Sequence, residues 1–180
     1  LLLINVAPHA IGPDAAKLIA RQVVLRLRLA AMASRSHENS RLHFVYADEF
    51  HNFASEQFAV MLSEIRKFGV GMVLAHQYTS QLVERDERVL QAVLGNVGTV
   101  VAFRVGWRDA ELLGDVVAPR ASGRDIAALP NHSVFVRSSG DLGNAAFKMK
   151  TDPPAAALYS ADVTALADRA VSRFGCDALS

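Results

Sequence analysis

Residues 42–50 read LHFVYADEF, an unbroken apolar run that ends in the acids Asp48 and Glu49. A strand that is apolar throughout is typical of a parallel sheet whose two faces are both covered by helices. In open sheets of this kind ligands bind at the carboxyl ends of the strands, which is where this stretch places its two carboxylates. The stretch therefore predicts an α/β domain with a binding edge at Asp48 and Glu49.

The segments around this stretch alternate between apolar runs and helical patterns. Right-handed crossovers are expected to join the strands into a mainly parallel sheet flanked by helices. The predicted strands are LLLINVA (1–7), RLHFVYADE (41–49), GMVLAHQ (71–77) and TVVAFRV (99–105). The predicted helices are 14–33 after Pro13, 55–68 between a Ser55 cap and Gly69, 87–96, and 107–117 before Pro119.

The last third of the chain has a different pattern. HSVFVRS (132–138) and AAFKMKT (145–151) flank a glycine-containing turn, which predicts an antiparallel hairpin on the sheet edge. Pro153 and Pro154 then interrupt the chain before an amphipathic helix at about residues 161–174. We expect the main domain to cover residues 1–151, and the break and final helix to cover 152–180.

Composition limits the classes of function. The 180 residues are 51% hydrophobic with a net charge of +1, which fits one buried core and argues against nucleic-acid binding by overall charge alone. Arg21, Arg26, Arg28 and Arg35 fall on or just after the helix predicted at 14–33, so weak, salt-sensitive DNA binding is the most that they predict. The single cysteine, Cys176, excludes an internal disulfide and favours a reducing, cytoplasmic setting. The apolar runs are shorter than the roughly 20 residues that span a bilayer.

The acids at the end of the second strand fit nucleotide chemistry. Asp48 would hold the hydration shell of a Mg²⁺ ion directly or through water, because this ion prefers oxygen ligands and keeps several waters. Glu49 would orient the water that attacks a terminal phosphate. Gln77 follows the next strand and would emerge at the same edge, where an amide can sense a γ-phosphate. A solvated strand end is the alternative interpretation of the acids, and a loop amide is the alternative for Gln77.

Two arginines and two histidines complete the set of candidates. Arg66 lies near the end of the helix predicted at 55–68, which is about 20 Å long and should run back antiparallel to the strand that presents Glu49. Arg66 is therefore far from its own Glu49 but could reach the nucleotide of a neighbouring subunit, as an arginine finger. Arg104, at the end of the fourth strand, is a weaker candidate of the same kind, and a surface arginine is the alternative for Arg66. His51 and His76 lack a third ligand at suitable spacing, so a metal site there is not expected.

The order of several sequence blocks resembles one known family. Residues 44–82, 93–113 and 128–137 are similar to the coupling proteins of conjugation and type IV secretion, relatives of hexameric DNA translocases with RecA-like P-loop NTPase motor domains. The resemblance covers about residues 1–151. It implies that Asp48 and Glu49 are the Walker B acids, Gln77 the sensor glutamine and Arg66 the finger arginine. It also implies that the full-length protein binds ATP and Mg²⁺ as cofactors and assembles as a homohexamer. The implied partners are DNA and relaxosome or secretion-system proteins.

The sequence departs from the family in one respect. No G-x-x-x-x-G-K-[ST] motif occurs, so no phosphate-binding loop is present in these residues. The chain also starts inside a predicted strand without a Met, which suggests a segment of a longer protein with further residues upstream of Leu1. Membrane helices of the family would lie there too, and would anchor the full-length protein at the cytoplasmic face of the inner membrane.

Three functions agree with these features. The first is the C-terminal part of an ATP-driven DNA translocase motor. The second is a non-catalytic RecA-like domain that binds a relaxosome or secretion partner, with a purely structural acidic pair. The third is a cellular DNA-processing helicase of the same superfamily. A Walker A motif upstream would separate the first from the second, and upstream membrane segments would favour conjugation.

The lack of a phosphate loop predicts how the isolated chain behaves. Purified residues 1–180 should bind ATP poorly and not hydrolyse it, since the loop amides and lysine that hold the β- and γ-phosphates are missing. A phosphate-release assay with and without Mg²⁺ tests this. Robust Mg²⁺-dependent turnover would show that the chain carries a phosphate cradle of another kind.

Overall fold

The α/β fold class is confirmed by the computed structural model, which describes residues 2, 4–6, 8–33, 42–52, 54–79, 82, 87–140, 143–153 and 163–175. Its helices are α1 Pro8–Ile11, α2 Pro13–Ala33, α3 Glu56–Glu64, α4 Glu87–Asn96, α5 Trp107–Val117, α6 Gly123–Ala127 and α7 Val163–Phe174. Its strands are β1 His43–Ala47, β2 Val70–Leu74, β3 Thr99–Ala102, β4 Ser133–Gly140 and β5 Gly143–Lys150. Two 3₁₀ turns, Phe50–Asn52 and Ile65–Phe68, follow β1 and α3.

Strands β1 and β2 form a parallel pair in a fixed register. His43 lies opposite Val70 at one end, and Ala47 lies opposite Leu74 at the other. Beyond the last pair the Ala75 amide donates to the Ala47 carbonyl at 2.9 Å, which extends the ladder by one step. The carboxyl ends of both strands therefore meet at one edge, as the sequence predicts.

The connection between these strands shows why the chain folds this way locally. The Phe58 amide donates to Ser55 Oγ at 3.3 Å, so Ser55 caps α3 as predicted. The α-helix ends at Glu64, and the remaining turn to Phe68 is 3₁₀ rather than the continuous α-helix expected from the sequence. Gly69, with φ of +72°, reverses the chain into β2 because a left-handed conformation suits glycine.

One face of the β1–β2 pair packs on the larger apolar core. Ala47, Met72 and Leu74 contact this core from the sheet. Its buried members come from the turn and loop after β1, from α3 and the 3₁₀ turn that follows it, from the segment after β2, and from α4: Phe50, Ala54, Phe58, Met61, Ile65, Leu82, Val89, Leu90 and Val93. The opposite face differs from the covered sheet that the sequence predicts, since Phe44 and Tyr46 are 58% and 75% exposed. No element in the described ranges covers these two rings.

Strand β3 corrects the expected topology, because it does not join the parallel sheet. It pairs antiparallel with β4, which pairs antiparallel with β5 in the order β3-β4-β5. The predicted hairpin is thus confirmed, but its sheet includes the fourth strand. A short apolar run cannot reveal its partner, and β3 leaves Val101 53% exposed on one face, as antiparallel sheets allow. Ala102 and Phe135 on the other face pack against α5 and α6 in a second core.

At the two ends of the chain, the structure describes only part of the strand and the helix that the sequence predicts. The strand predicted at residues 1–7 is not formed by its described part, residues 2 and 4–6, which pairs with none of the described strands. A strand needs a neighbour to satisfy its backbone groups. The final helix starts at Val163, while 161 and 162 lie outside the described residues. Among the helices described, none is long and apolar enough to cross a membrane.

Helices α5 and α6 approach each other backbone to backbone. A Cβ atom on Gly114 would lie 2.5 Å from the Gly123 nitrogen, and one on Gly123 would lie 2.7 Å from the Ala110 carbonyl oxygen. Both positions therefore need glycine for space. Gly95 in α4 offers the contrast, because no atom lies within 4 Å of its ideal Cβ.

This contrast gives a stability prediction. Gly114→Ala should destabilise the fold by about 1–3 kcal/mol because the new methyl forces α5 and α6 apart. Gly95→Ala, the matched control, should be neutral or stabilise by about 0.5–1 kcal/mol through helix propensity. Urea unfolding of both variants measures the difference. Equal stability of the two would mean that the α5–α6 contact relaxes without cost.

Candidate active site

The turn after β1 places two acids at the carboxyl edge of the parallel pair. Asp48 is exposed and its Oδ1 accepts a hydrogen bond from the Glu49 amide at 2.9 Å. Glu49 has φ of +47°, a left-handed conformation that is uncommon for a residue with a side chain. The Phe50 amide donates to the Ala75 carbonyl at 3.1 Å, and the Phe50 ring is fully buried, so the turn is fixed on both sides of the acids. Such strain at a fixed turn is frequent at functional sites.

Gln77 and Glu49 are in direct contact. Gln77 Nε2 donates a hydrogen bond to Glu49 Oε1, although 28 positions separate the two residues in the chain. The expected meeting of the β1 and β2 ends is therefore seen at the level of side chains. The structure brings together Asp48, Glu49 and Gln77, three of the residues that the sequence singles out.

His51 approaches the second oxygen of the same carboxylate. Its Nδ1 lies 3.2 Å from Glu49 Oε2, with the side chain 12% exposed. The same Nδ1 is buried without a hydrogen-bond partner, so the contact is close in distance but not aligned as a hydrogen bond. The contact is therefore electrostatic and not a hydrogen bond. His51 and Gln77 thus face opposite oxygens of Glu49.

An open cleft of about 560 Å³ adjoins this edge. Gln77 and Arg104 both line it, so the weaker arginine candidate lies on the same side of the molecule as the acids. Arg104 is exposed, and its Nη2 donates to Asn131 Oδ1 at 2.9 Å. The remaining lining comes from His76, Tyr78, Phe103, Val105, Gly106 and Ala127.

Behind the cleft, a buried polar pair links the loop after β2 to α5. Thr79 Oγ1 donates to Asp109 Oδ1, and these residues are only 8% and 7% exposed. A buried carboxylate needs such a partner because an unpaired one is costly. The contact holds the wall of the cleft that carries Gln77 against the start of α5.

Arg66 lies at the opposite edge of the sheet. It belongs to the 3₁₀ turn that enters β2, and the Gly69 carbonyl beside it accepts from the His43 amide at the start of β1. The acids follow the end of β1, roughly 15 Å away along a strand of about 3.3 Å per residue. Arg66 is exposed and does not reach its own Glu49.

Of the candidate DNA-binding arginines that the structure describes on α2, one is held in an ion pair with α3. Arg28 Nη2 pairs with Glu64 Oε2 at 3.0 Å and so connects α2 to α3. Arg21 and Arg26 are exposed, and Arg35 lies outside the described residues. Within the described ranges, no cluster of three or more His, Cys, Asp or Glu side chains could hold a metal ion by itself.

A protein-family profile matches more than half of the chain. The profile described as the type IV secretion-system coupling protein DNA-binding domain matches residues 15–115, which include the acids, Gln77 and Arg104. This is 101 of the 180 residues. The chain belongs to this family.

Solved structures of one coupling protein share the fold of this coupling-protein domain. TrwB in a trigonal form with sulphate matches with a TM-score of 0.60 at 17% identity, over 78% of this chain and 37% of that chain. TrwB with ADP and Mg²⁺ matches with a TM-score of 0.58 at 18% identity, over 77% and 38%. TrwB with the GTP analogue GDPNP gives 0.59 at 17%, also over 77% and 38%. The fold of the coupling-protein domain is thus the RecA-like P-loop NTPase fold, as the sequence resemblance implies.

The coupling-protein domain spans little more than a third of the TrwB chains that it matches. No curated protein sequence matches it.

Sequence reasoning missed His51 as a contact of Glu49 and missed the pair of Thr79 and Asp109. The contact of His51 could have been found from the sequence. A turn that begins directly after Glu49 can bring the side chain two residues later back to the Glu49 carboxylate. The pair of Thr79 and Asp109 had no such signal, because the partners are 30 positions apart and belong to elements whose packing no local pattern encodes.

Burial is the main cause that lowers the pKa of His76 below its usual value, and the nearby His51 acts in the same direction. The backbone of Tyr78 and the charges of Asp109 and Glu49 oppose it more weakly. The His76 ring packs edge-on against Phe50, with ring centroids 5.0 Å apart, which explains the loss of water around it. His76 of the coupling-protein domain is therefore held neutral near pH 7.

The sign of this shift predicts acid sensitivity. The unfolded chain binds a proton at His76 near its ordinary pKa of about 6.5, whereas the folded chain does so only at lower pH. The contribution of His76 to stability is therefore fully present above about pH 6.5 and falls as the pH drops below it. Urea unfolding between pH 7.5 and 5 should show a smaller slope against pH for His76→Gln than for wild type. An unchanged slope would assign the acid sensitivity to other groups.

Proposed function

We propose that this chain is the C-terminal part of an ATP-driven DNA translocase motor of the coupling-protein type. The observation that carries the proposal is the contact of Gln77 with Glu49 beside the exposed Asp48, at the carboxyl edge of a parallel strand pair. Family membership and the RecA-like fold support it. The coupling-protein profile favours this function over a cellular DNA-processing helicase.

The residues at this edge fit part of a Mg²⁺–ATP site. Asp48 offers exposed carboxylate oxygens, which suit a hard ion that keeps its waters, so it would hold Mg²⁺ through water. The bound ion would neutralise charge on the phosphates. The sequence has no G-x-x-x-x-G-K-[ST] motif, the loop that holds the β-phosphate in P-loop NTPases. We propose that this loop belongs to another part of the full-length protein, and that the bare face with Phe44 and Tyr46 packs against that part.

Glu49 and Gln77 would divide the chemistry at the γ-phosphate. A carboxylate at Glu49 can hold and polarise the attacking water, which is a positioning task. Gln77 donates a hydrogen bond to Glu49 in this structure and lines the cleft. When nucleotide is bound, its amide could donate to a phosphate oxygen instead of to Glu49. Gln77 would thereby sense whether a nucleotide with a γ-phosphate occupies the site. Arg104 lies on the same cleft and would contact nucleotide there.

Arg66 would act on the site of a neighbouring subunit. Its exposure, and its place at the edge opposite Glu49, support a role in trans within a ring rather than a role at its own site. The remaining partners follow from the family: DNA, a relaxosome or secretion-system protein, a homohexameric assembly, and attachment to the cytoplasmic face of the inner membrane through other regions. The division of this chain at residue 151 stays a prediction.

Mixed rings of the full-length protein test this division of labour. Glu49→Gln should still bind and trap ATP while turnover falls by orders of magnitude, because the water is no longer positioned. Arg66→Ala should bind ATP normally with turnover lowered on the order of a thousandfold. Mixing the two variants should restore part of the activity, since intact acids and intact arginines then meet at some interfaces.

Two controls make the result decisive. Arg120→Ala removes an exposed arginine between α5 and α6, outside all of the candidate sites, and should leave turnover at the wild-type level. Native mass spectrometry must show that mixed rings form. If mixed rings form but recover no ATP turnover, or if Arg66→Ala hydrolyses ATP normally, the proposed role in trans is wrong and Arg66 is a surface arginine. Normal turnover by Glu49→Gln would overturn the proposed function itself.

A further inference from the structure

His51 is built into the turn that carries Glu49. It lies on the 3₁₀ turn Phe50–Asn52, where the Asn52 amide donates to the Glu49 carbonyl and the Ala54 amide to the Phe50 carbonyl, both at 3.0 Å. Phe50 is completely buried and stacks on Phe58, with ring centroids 5.9 Å apart. The turn is therefore anchored in the core on one side of His51 and bonded to the backbone of Glu49 on the other.

The side chain of His51 is mostly buried and lies close to the Glu49 carboxylate. Its side chain is only 12% exposed, and its Nδ1 lies 3.2 Å from Glu49 Oε2. That nitrogen is buried without an aligned hydrogen bond, which is unusual because buried polar atoms are normally satisfied. In nucleotide-free enzymes, contacts of catalytic groups are frequently misaligned and tighten only when the substrate is bound.

Glu49 needs such support from both sides. A glutamate side chain has several rotatable bonds, so one contact does not fix the plane of its carboxylate. Gln77 donates a hydrogen bond to Oε1, and Nδ1 of His51 lies close to Oε2. Together these two contacts fix the plane of the carboxylate and so the direction in which it can hold a water. If Gln77 turns toward a phosphate, His51 is the contact that stays with Glu49.

We infer that His51 is a positioning residue for Glu49, which it orients for water activation through Nδ1. The inference rests on the proposed function. His51 does not touch the nucleotide in this account, so it should affect the rate of hydrolysis and not the affinity for ATP. Groups that orient a catalytic residue change activity by about 10- to 100-fold when removed.

Four substitutions in the full-length protein separate positioning from packing. His51→Ala should lower kcat about 10- to 100-fold with KM for ATP unchanged. His51→Asn should recover most of that loss, because the asparagine amide nitrogen can occupy the position of Nδ1. His51→Gln, which places its amide near Nε2, and His51→Leu, which fills the volume without a donor, should both stay slow.

Two measurements and one control variant accompany the kinetics. A fluorescent ATP analogue should bind all His51 variants with the wild-type Kd, and thermal unfolding shows which variants are folded. His43→Asn is the matched control, because His43 is exposed at the far end of β1 and should keep wild-type turnover. If His51→Ala does not fold, the comparison of Asn with Gln and Leu decides the question.

The outcomes are distinct from failure of the proposed function. Wild-type kcat in every His51 variant overturns the inference, and so does recovery by Leu equal to that by Asn, which would make His51 a packing residue. A raised KM or Kd with unchanged kcat also overturns it, since His51 would then serve binding. In each case Glu49→Gln, measured alongside, must still be inactive; if it is active, the proposed function fails and not only the role of His51.

Discussion

The parallel pairing of β1 and β2 is the constraint on which the candidate site depends. Its last backbone bonds, from Ala75 to Ala47 and from Phe50 to Ala75, hold the two chain segments together just beyond the strands. These bonds place Asp48 and Glu49, which follow β1, next to Gln77, which follows β2. The buried Phe50 ring then sets the path of the following turn and brings His51 back to Glu49. A shift of one residue in this register would separate all of these contacts.

Local sequence signals were sufficient for most of the architecture. The Ser55 cap, Gly69 and the bounds of α4 and α5 follow from capping, left-handed glycine and helical spacing, which act over a few residues. The edge that carries Asp48 and Gln77 could be predicted too, since parallel strands always present their carboxyl ends on one side. These features do not depend on distant parts of the chain.

Contacts between distant residues could not be predicted in the same way. The run TVVAFRV suits either kind of sheet, and its antiparallel partner β4 lies some 30 residues further on. The approach of α5 to α6 depends on two glycines that no periodicity connects. The sequence predicts no metal-binding role for His51 and gives it no other role, whereas the structure places it against a carboxylate two residues away. Side-chain geometry, not residue type, distinguishes these roles.

Mapping the bound metal tests the central claim most directly. In the full-length protein, Fe²⁺ can be substituted for Mg²⁺ in the complex with ATP, and hydrogen peroxide and ascorbate can then be added. The bound Fe²⁺ is oxidised to Fe³⁺ as it reduces peroxide to hydroxide and a hydroxyl radical, ascorbate regenerates Fe²⁺, and the radical cleaves the backbone close to the ion. Our account predicts ATP-dependent cleavage within a few residues of Asp48, with weaker cleavage near Gln77, and none around Arg66 of a protein held as a single subunit. Cleavage confined to other parts of the chain would show that the carboxyl edge of β1 and β2 is not the nucleotide site.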